Sequence, residues 1–175
     1  MITVAILGSG FMGSAHAANY KALGERVRVK TIASRTAEQA VRVAEVVGAD
    51  VTGDLDGAIH DPDVEAVDIC LPTPLHREYA ERALAAGKSV FLEKPIALTT
   101  EDAEAIVAAA ARSDAVFMVG MVLRFWPEYV ELQRLVAAGG SAARGPSRPH
   151  DCRRPPTGTT GWPSARSPAE HPSTS

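Results

Sequence analysis

A glycine-rich loop near the start of the sequence has the spacing to hold a phosphate. It lies between an apolar run over residues 2–7 and a helix-like segment over 11–23, and it reads Gly8, Ser9, Gly10, Phe11, Met12 and Gly13. The first two glycines would make a tight turn and let backbone N–H groups approach a pyrophosphate, and the third would let helix and strand pack closely. An ordinary turn between strand and helix is the alternative. The position directly after a strand and before a helix favours a dinucleotide site.

A second candidate is the segment Glu93-Lys94-Pro95, which directly follows an apolar run over residues 89–92. A lysine just after a buried strand would lie in low-dielectric surroundings, where an ammonium group can donate or shuttle a proton. Glu93 could orient the lysine, and Pro95 would fix the local backbone. Without further context, the three residues are more typical of a surface Glu–Lys pair.

The residues that follow a third apolar run, 27–33, bear on whether the site would take NAD or NADP. In a dinucleotide-binding unit, a carboxylate at this position bonds the 2′-hydroxyl of NAD and repels the additional phosphate of NADP. Here the position holds Ser34, followed by Arg35 and Thr36. Two hydroxyls and a guanidinium suit a 2′-phosphate, because arginine binds phosphate through two parallel hydrogen bonds. A solvated loop arginine is the alternative reading. We expect NADP as the cofactor, with NAD as the second choice.

The elements that must position these loops alternate along the sequence. Apolar runs predict strands at 2–7, 27–33, 49–52, 65–71, 89–92 and 115–119, and the intervening segments predict helices at 11–23, 37–47, 55–60, 75–86, 101–112 and 127–138. We expect Thr36 to cap the second helix, and Thr99 or Thr100 to cap the fifth. Strict alternation indicates an α/β fold, a Rossmann-type doubly wound parallel sheet with helices on both faces. Because the carboxyl ends of parallel strands share one edge, the loops at 8–13, 34–36, 72–76 and 93–95 should converge there.

Composition narrows the class of protein. A chain of 175 residues has room for one domain, or for one domain and a tail, and 18 basic against 21 acidic residues argue against a nucleic-acid surface. The two cysteines, Cys70 and Cys152, have no metal-ligand spacing and no disulfide framework, which favours a reducing cytoplasm. Cys70 follows apolar residues and reads as a core residue rather than a nucleophile. No leader-like segment is recognisable, and no apolar run approaches the roughly 20 residues of a membrane span.

The composition changes abruptly near residue 138. Residues 1–138 carry 13 basic and 19 acidic side chains, whereas residues 139–175 carry 5 and 2, with 7 of the 12 prolines. The second stretch contains no Leu, Ile, Val, Phe, Met or Tyr. A segment that cannot bury apolar surface cannot offset its ordering entropy. We therefore expect a domain over 1–138 and a disordered tail over 139–175, and the change is typical of a shifted reading frame or a truncation.

Taken together, the glycine loop, Ser34-Arg35, Thr73-Pro74-Leu75-His76 and the run 86–95 resemble the Gfo/Idh/MocA family of oxidoreductases. The family includes glucose–fructose oxidoreductase and inositol dehydrogenase, and the likeness covers about residues 1–138. It implies a Rossmann domain that binds NAD or NADP and hydride transfer between a sugar or polyol carbon and the nicotinamide. The resemblance also implies site residues. Glu93 and Lys94 would be the catalytic pair, and together with Pro95 they would lie beside the nicotinamide. Further cofactor contacts would come from Leu71, Pro72, Thr73 and His76, and residues 120–124, including Arg124, would form the next wall of the site.

The sequence departs from that family after residue 138. Members continue for about as many residues again in a second α/β domain, which holds most of the substrate pocket, a histidine paired with an aspartate, and the usual oligomer interface. Neither His150 nor His171 has an aspartate four residues before it. Three readings stay open: an oxidoreductase represented by its cofactor domain, a dinucleotide-binding module without turnover, and an inactive fragment that folds poorly.

Overall fold

The structure, a computed structural model, describes residues 1–139. Its strands are β1 (Ile2–Leu7), β2 (Val27–Ala33), β3 (Asp50–Thr52), β4 (Ala66–Ile69), β5 (Ser89–Leu92) and β6 (Phe117–Val119). Its helices are α1 (Phe11–Ala22), α2 (Ala37–Val47), α3 (Leu55–His60), α4 (His76–Ala85), α5 (Thr100–Ala111) and α6 (Pro127–Ala137). Short 3₁₀ turns, which the sequence did not predict, occur at Gly24–Arg26, Thr73–Leu75 and Val122–Phe125.

All six strands form one parallel sheet in the order β3-β2-β1-β4-β5-β6. The chain winds outward from β1 in one direction through β2 and β3, and in the other direction through β4, β5 and β6. The reversal opens a crevice at the carboxyl ends of β1 and β4, where open α/β sheets bind their ligands. The Rossmann-type fold predicted from the sequence is therefore confirmed, and its ligand edge is where the predicted loops meet.

Each face of the sheet carries its own apolar core. Along β1, Val4 and Ile6 pack with residues of α1 and α2, whereas Ala5 and Leu7 pack on the opposite side with residues of α3, α4 and α5. Successive side chains of a strand point to opposite faces, so a strand covered on both sides must be apolar throughout. That requirement explains the apolar residues 4–7, which are buried, and the packing on both sides confirms helices on both faces.

Two of the predicted helix caps have different outcomes. The Thr99 side chain accepts a hydrogen bond from the backbone N–H of Asp102 at 3.1 Å, which confirms the cap of α5. The side chain of Thr36 makes no such bond at the start of α2, so that prediction is wrong. The backbone N–H of Thr36 instead donates to the hydroxyl of Ser34 at 3.3 Å, which draws the residue into a turn.

By its contacts the chain separates into Met1–Tyr129 and Val130–Ser175. The described part of the second unit, residues 130–139, continues α6, where Arg134 pairs with Glu131 at 2.8 Å. Residues 140–175, on which the prediction of a disordered tail falls, lie outside the described residues, and the domain boundary after residue 138 stays a prediction. Within residues 1–139, the helices are too short or too polar to span a bilayer.

Candidate functional site

A cavity of about 440 Å³ opens at the carboxyl ends of β1, β2 and β4. The glycine loop from Gly8 to Met12, the residues 34–36, and Leu71 with Pro72 all line it. Gln39, Leu55 and Cys70, which the sequence analysis did not select, complete the lining. The convergence of loops that are far apart in sequence follows from the parallel sheet, and we call this space the first cavity.

The three glycines of the loop have different structural roles. Gly8 has a φ of +102°, and a Cβ on it would lie 2.6 Å from the carbonyl oxygen of Cys70. A Cβ on Gly13 would overlap the carbonyl oxygen of Gly8, so this glycine lets α1 pack against the end of β1. A Cβ on Gly10 would meet nothing within 4 Å. Gly10 therefore borders open space. Gly8 and Gly13 allow the close backbone approaches that hold the loop beside this space.

The N-terminus of α1 borders this space and has no side-chain cap from the residues that the structure describes. Gly10 provides no side-chain cap, and the first turn of the helix carries no acidic residue. The first N–H groups of a helix have no intrahelical acceptor and bear partial positive charge. A backbone cradle of this kind fits the pyrophosphate of a dinucleotide, which would supply the missing acceptors.

The loop after β2 presents a guanidinium to the first cavity. Ser34 is buried, and its hydroxyl accepts hydrogen bonds from the Ser9 hydroxyl at 2.8 Å and from the backbone N–H of Thr36. Ser34 thus braces the two loops against each other. Arg35 and Thr36 are exposed, and within residues 1–139 Arg35 has no ion-pair partner. The next acidic residue along the chain, Glu38, lies 3.2 Å from Arg42.

A second cavity, of about 360 Å³, lies beside β5 and β6. Its lining includes Met12, Phe91, Glu93, Lys94 and Gly120, and because Met12 also lines the first cavity, the two spaces adjoin. Lys94 is exposed, so the low-dielectric surroundings expected for its ammonium group are a wrong prediction. Glu93 is buried, and its carboxylate accepts the backbone N–H of Lys94 at 3.0 Å. Glu93 therefore fixes the backbone of Lys94.

Besides Gly13, four predicted site residues line neither cavity: Thr73, His76, Pro95 and Arg124. His76 is 1% exposed, with Nδ1 2.9 Å from the carbonyl oxygen of Pro95 and Nε2 2.9 Å from that of Leu71. It thereby ties the loop after β4 to the loop after β5. Thr73 begins the 3₁₀ turn that leads into α4, and Arg124 is exposed on the turn Val122–Phe125. The cofactor roles predicted for these residues stay predictions.

A buried polar cluster, which the sequence analysis missed, lies between α1 and the sheet. The Asp68 carboxylate in β4 is within 2.9 Å of both His16 Nδ1 and the Tyr20 hydroxyl, and the Cys70 thiol donates to it at 3.4 Å. Burial, and then the charge of Asp68, raise the pKa of the Cys70 thiol, which agrees with the prediction that Cys70 is no nucleophile. Ligand-type atoms of His16, Asp68 and Cys70 lie within 4.8 Å of one another, but hydrogen bonds among the three already use them.

One sequence signal could have found this cluster. Asp68 is a single charged residue inside an otherwise apolar strand, and a buried carboxylate needs partners that donate hydrogen bonds. Its partners could not be named in advance, because His16 and Tyr20 lie 52 and 48 residues away along the chain.

Comparison with known proteins gives the site its context. Residues 2–121 match the sequence profile of the family GFO_IDH_MocA, described as "Oxidoreductase family, NAD-binding Rossmann fold". The chain is 38% identical over 137 residues to 4-carboxy-2-hydroxymuconate-6-semialdehyde dehydrogenase of Sphingobium sp., covering 78% of this chain and 43% of that protein. It is 33% identical over 157 residues to inositol 2-dehydrogenase 3 of Saccharopolyspora erythraea, covering 89% and 46%. The chain thus spans less than half the length of these relatives.

Solved structures with bound cofactors show the same fold. Levoglucosan dehydrogenase in complex with NADH and levoglucosan superposes with a TM-score of 0.74 at 34% identity, over 79% of this chain and 40% of that one. KijD10, a 3-ketoreductase from Actinomadura kijaniata in complex with NADP and TDP-benzene, superposes with a TM-score of 0.71 at 28% identity, over 79% and 42%. The chain belongs to the Gfo/Idh/MocA family of oxidoreductases, and residues 2–121 are its NAD-binding Rossmann domain.

Proposed function

We propose that the first cavity binds NADP in preference to NAD. The observation that carries this proposal is the exposed Arg35 at the end of β2, without an ion-pair partner within residues 1–139. A guanidinium at this position would pair with a 2′-phosphate, whereas NAD recognition uses a carboxylate there. The relatives with bound cofactors include both kinds, since levoglucosan dehydrogenase holds NADH and KijD10 holds NADP.

In this proposal, different residues around the two cavities bind different parts of the cofactor. The backbone of the glycine loop would hold the pyrophosphate, and Arg35 with Thr36 would hold the 2′-phosphate. The nicotinamide would lie toward Met12, where the two cavities adjoin, and so come near Glu93 and Lys94. Leu71 and Pro72 would cover the side of the cofactor that faces the end of β4.

For the complete protein we propose hydride transfer between a sugar or polyol carbon and the nicotinamide. The nicotinamide, when bound, accepts or donates the hydride. Lys94 would hold the substrate hydroxyl with its exposed side-chain nitrogen, which as the neutral amine takes the hydroxyl proton in the oxidation and as the ammonium returns it in the reduction. Glu93 would keep the Lys94 backbone in place. Support comes from relatives named inositol 2-dehydrogenase and levoglucosan dehydrogenase.

Dinucleotide binding without turnover is a second candidate function for the 175-residue chain. The chain covers 43% and 46% of the two dehydrogenase relatives, so the part of those enzymes beyond the matched region has no counterpart in the described residues. A turnover assay with NADP and a panel of sugars and polyols separates the two candidates. Reduction of the cofactor at 340 nm supports the enzyme, and binding without reduction supports the module.

The cofactor proposal is tested by thermal unfolding of the purified chain with increasing NADP or NAD. A ligand that binds only the folded state adds RT ln(1 + [L]/Kd), about 2.7 kcal/mol at 100 times Kd, which raises the melting temperature by several degrees. We expect a larger shift with NADP than with NAD, and loss of this preference in Arg35→Asp. Removing hydrogen bonds to a charged group lowers affinity by about 10- to 150-fold.

A matched control separates the local contact from the change in net charge. Arg26 is an exposed arginine in the turn before β2, at the opposite edge of the sheet, so Arg26→Asp makes the same charge change away from the first cavity. It should leave the preference for NADP intact. Equal shifts with the two cofactors in the unmodified chain would contradict NADP selectivity, and no shift with either would contradict binding.

A further inference from the structure

His16 lies between two buried carboxylates, Asp68 in β4 and Glu93 directly after β5. Its Nδ1 is 2.8 Å from Oδ2 of Asp68, and its Nε2 is 3.4 Å from Oε1 of Glu93. The exposed fractions of the side chains are 12% for His16, 0% for Asp68 and 10% for Glu93. An ionised carboxylate cannot donate a hydrogen bond, so neither neighbour can satisfy an unprotonated ring nitrogen of His16. The contact geometry thus favours the imidazolium form.

The groups that face His16 keep this cation in place. Tyr20 of α1 and Cys70 after β4 direct their O–H and S–H groups to the Asp68 carboxylate, and the ring of Phe91 packs 5.4 Å from the imidazole. Burial alone would lower the pKa of His16, but the hydrogen bond and charge of Asp68, together with those of Glu93, outweigh it and raise the pKa above its usual value. Lys94 is the cation nearest along the chain to Glu93, and it lines the same cavity as His16.

The second carboxylate oxygen of Glu93 connects His16 to the ligand edge. Glu93 Oε2 accepts the backbone N–H of Lys94 at 3.0 Å, while Oε1 faces His16. Gly120 lies beside Oε1, where an added Cβ would reach ordinary van der Waals contact at 3.4 Å. A carboxylate held on one side by an imidazolium and on the other by a backbone N–H has a fixed orientation. The path from Asp68 through His16 and Glu93 therefore ends at the backbone of Lys94.

We propose that His16 is a positioning residue for the nicotinamide side of the site: it holds the Glu93 carboxylate, which in turn fixes the backbone of Lys94 beside the second cavity. The inference rests on the proposed function, since the ligand beside Lys94 is the nicotinamide of that proposal. His16 lies behind Glu93, and its contribution reaches the ligand only through Glu93. Loss of His16 should weaken the contacts of the nicotinamide and leave those of the adenosine half unchanged.

The test compares NADPH with the 2′-phosphate of ADP-ribose, which has the same adenosine and pyrophosphate but no nicotinamide. Affinities for both are measured by calorimetry on the 175-residue chain, on His16→Gln, and on the control His60→Gln. His60 is exposed in α3, and its Nδ1 lies 2.9 Å from the backbone carbonyl oxygen of Asp56 in the same helix. We expect His16→Gln to bind NADPH about tenfold more weakly than the unmodified chain does, and to bind the 2′-phosphate of ADP-ribose (the fragment) with unchanged affinity. His60→Gln should change neither affinity.

The possible results separate this inference from the proposed function. If His16→Gln binds both ligands as the unmodified chain does, the positioning role is refuted and cofactor binding stands. An equal loss for both ligands would also refute it, because His16 would then support the fold alone. If the unmodified chain binds neither ligand, the proposed function fails, and the second measurement decides the role of His16.

The second measurement is the NMR titration of the His16 imidazole, which needs no cofactor. We expect both ring nitrogens to be protonated at pH 6.5 and Glu93→Gln to shift the titration to lower pH, because it removes one of the two negative charges. The affinity difference between NADPH and the fragment should then fall as pH rises through the His16 titration, and this dependence should vanish in His16→Gln. A neutral imidazole at pH 6.5, or a titration that Glu93→Gln leaves unchanged, would overturn the proposal.

Discussion

Two glycine-to-alanine substitutions in the same loop should have opposite consequences. At Gly10, a methyl group meets nothing within 4 Å, and the backbone angles of φ −68° and ψ −166° are open to alanine. At Gly13, the same methyl group would overlap the backbone carbonyl oxygen of Gly8. We therefore expect Gly10→Ala to fold normally and bind cofactor poorly, and Gly13→Ala to be destabilised before any ligand is added.

The size of each effect follows from these contacts. For Gly10→Ala, the lost preference for glycine as a helix cap and the reduced entropy of the unfolded chain are each below about 1 kcal/mol and oppose each other. Its methyl group would stand where the pyrophosphate approaches, and loss of one hydrogen bond to a charged group is worth about 1.5–3 kcal/mol, or about 10- to 150-fold in affinity. For Gly13→Ala, overpacking against backbone typically costs about 1–3 kcal/mol, against a gain in helix propensity of about 1 kcal/mol.

Urea unfolding and an NADPH titration of the three proteins separate these effects. Gly13→Ala should unfold at lower urea concentration, and Gly10→Ala should unfold within about 1 kcal/mol of the unmodified chain. If Gly10→Ala loses as much stability as Gly13→Ala, the space beside Gly10 is not open. If Gly10→Ala binds NADPH as well as the unmodified chain does, the pyrophosphate does not lie against this loop.

Two further predictions concern stability. His76→Phe removes the imidazole that contacts the carbonyl oxygens of Leu71 and Pro95. Because an imidazole carries at least one N–H, at least one of these carbonyls loses its donor, and the free energy of unfolding should fall by about 1–3 kcal/mol. The exposed control His60→Phe should change it little, and equal urea midpoints for the two variants would contradict the contacts of His76. The hydrogen bond with Lys30 lowers the pKa of Asp61, so this pair stabilises the fold above the ordinary carboxyl pKa of about 3.9, and the contribution is lost as pH falls through the lowered value. In Asp61→Asn the urea midpoint of unfolding should therefore change less between pH 2 and 5 than it does in the unmodified chain. An unchanged pH dependence would refute this stabilising role of the pair.

The parts of the fold that depend on local patterns could be predicted from the sequence. The apolar run at residues 2–7 predicts a strand covered on both faces, and β1 is such a strand, with Val4 and Ile6 packed on one side and Leu7 on the other. The cap at Thr99 was predictable for the same reason, because its partner is only three residues away. Parallel order then brings the loops at 8–13 and 34–36 to one edge without any knowledge of their side chains.

Side-chain partners distant in sequence could not be predicted. His76 follows a proline-containing turn in the sequence, and only the fold shows that the two carbonyls it contacts belong to Leu71 and Pro95, the second of them 19 residues away. Thr36 shows the same limit at short range: its side chain makes no cap, and its backbone N–H donates to the Ser34 hydroxyl in a local turn that no helix pattern reveals. The exposure of Lys94 likewise depends on how β5 ends. Its position directly after an apolar run predicts a buried side chain, but Lys94 is exposed.

One helix serves both cavities, and this explains why its sequence is unusual. The N-terminus of α1 must be free of side-chain caps and of acidic residues to receive a phosphate, and it begins after Gly10 with Phe11 and Met12. Its inner face must pack closely against the sheet, which Gly13 and Ala17 allow, yet it also carries His16 into that buried layer toward Glu93. A buried histidine is tolerated here because its Nδ1 lies 2.8 Å from Asp68 and its Nε2 lies 3.4 Å from the Glu93 carboxylate. A shift of α1 along its axis would therefore disturb the pyrophosphate cradle and the support of Lys94 together, whereas a substitution at position 16 disturbs only the second.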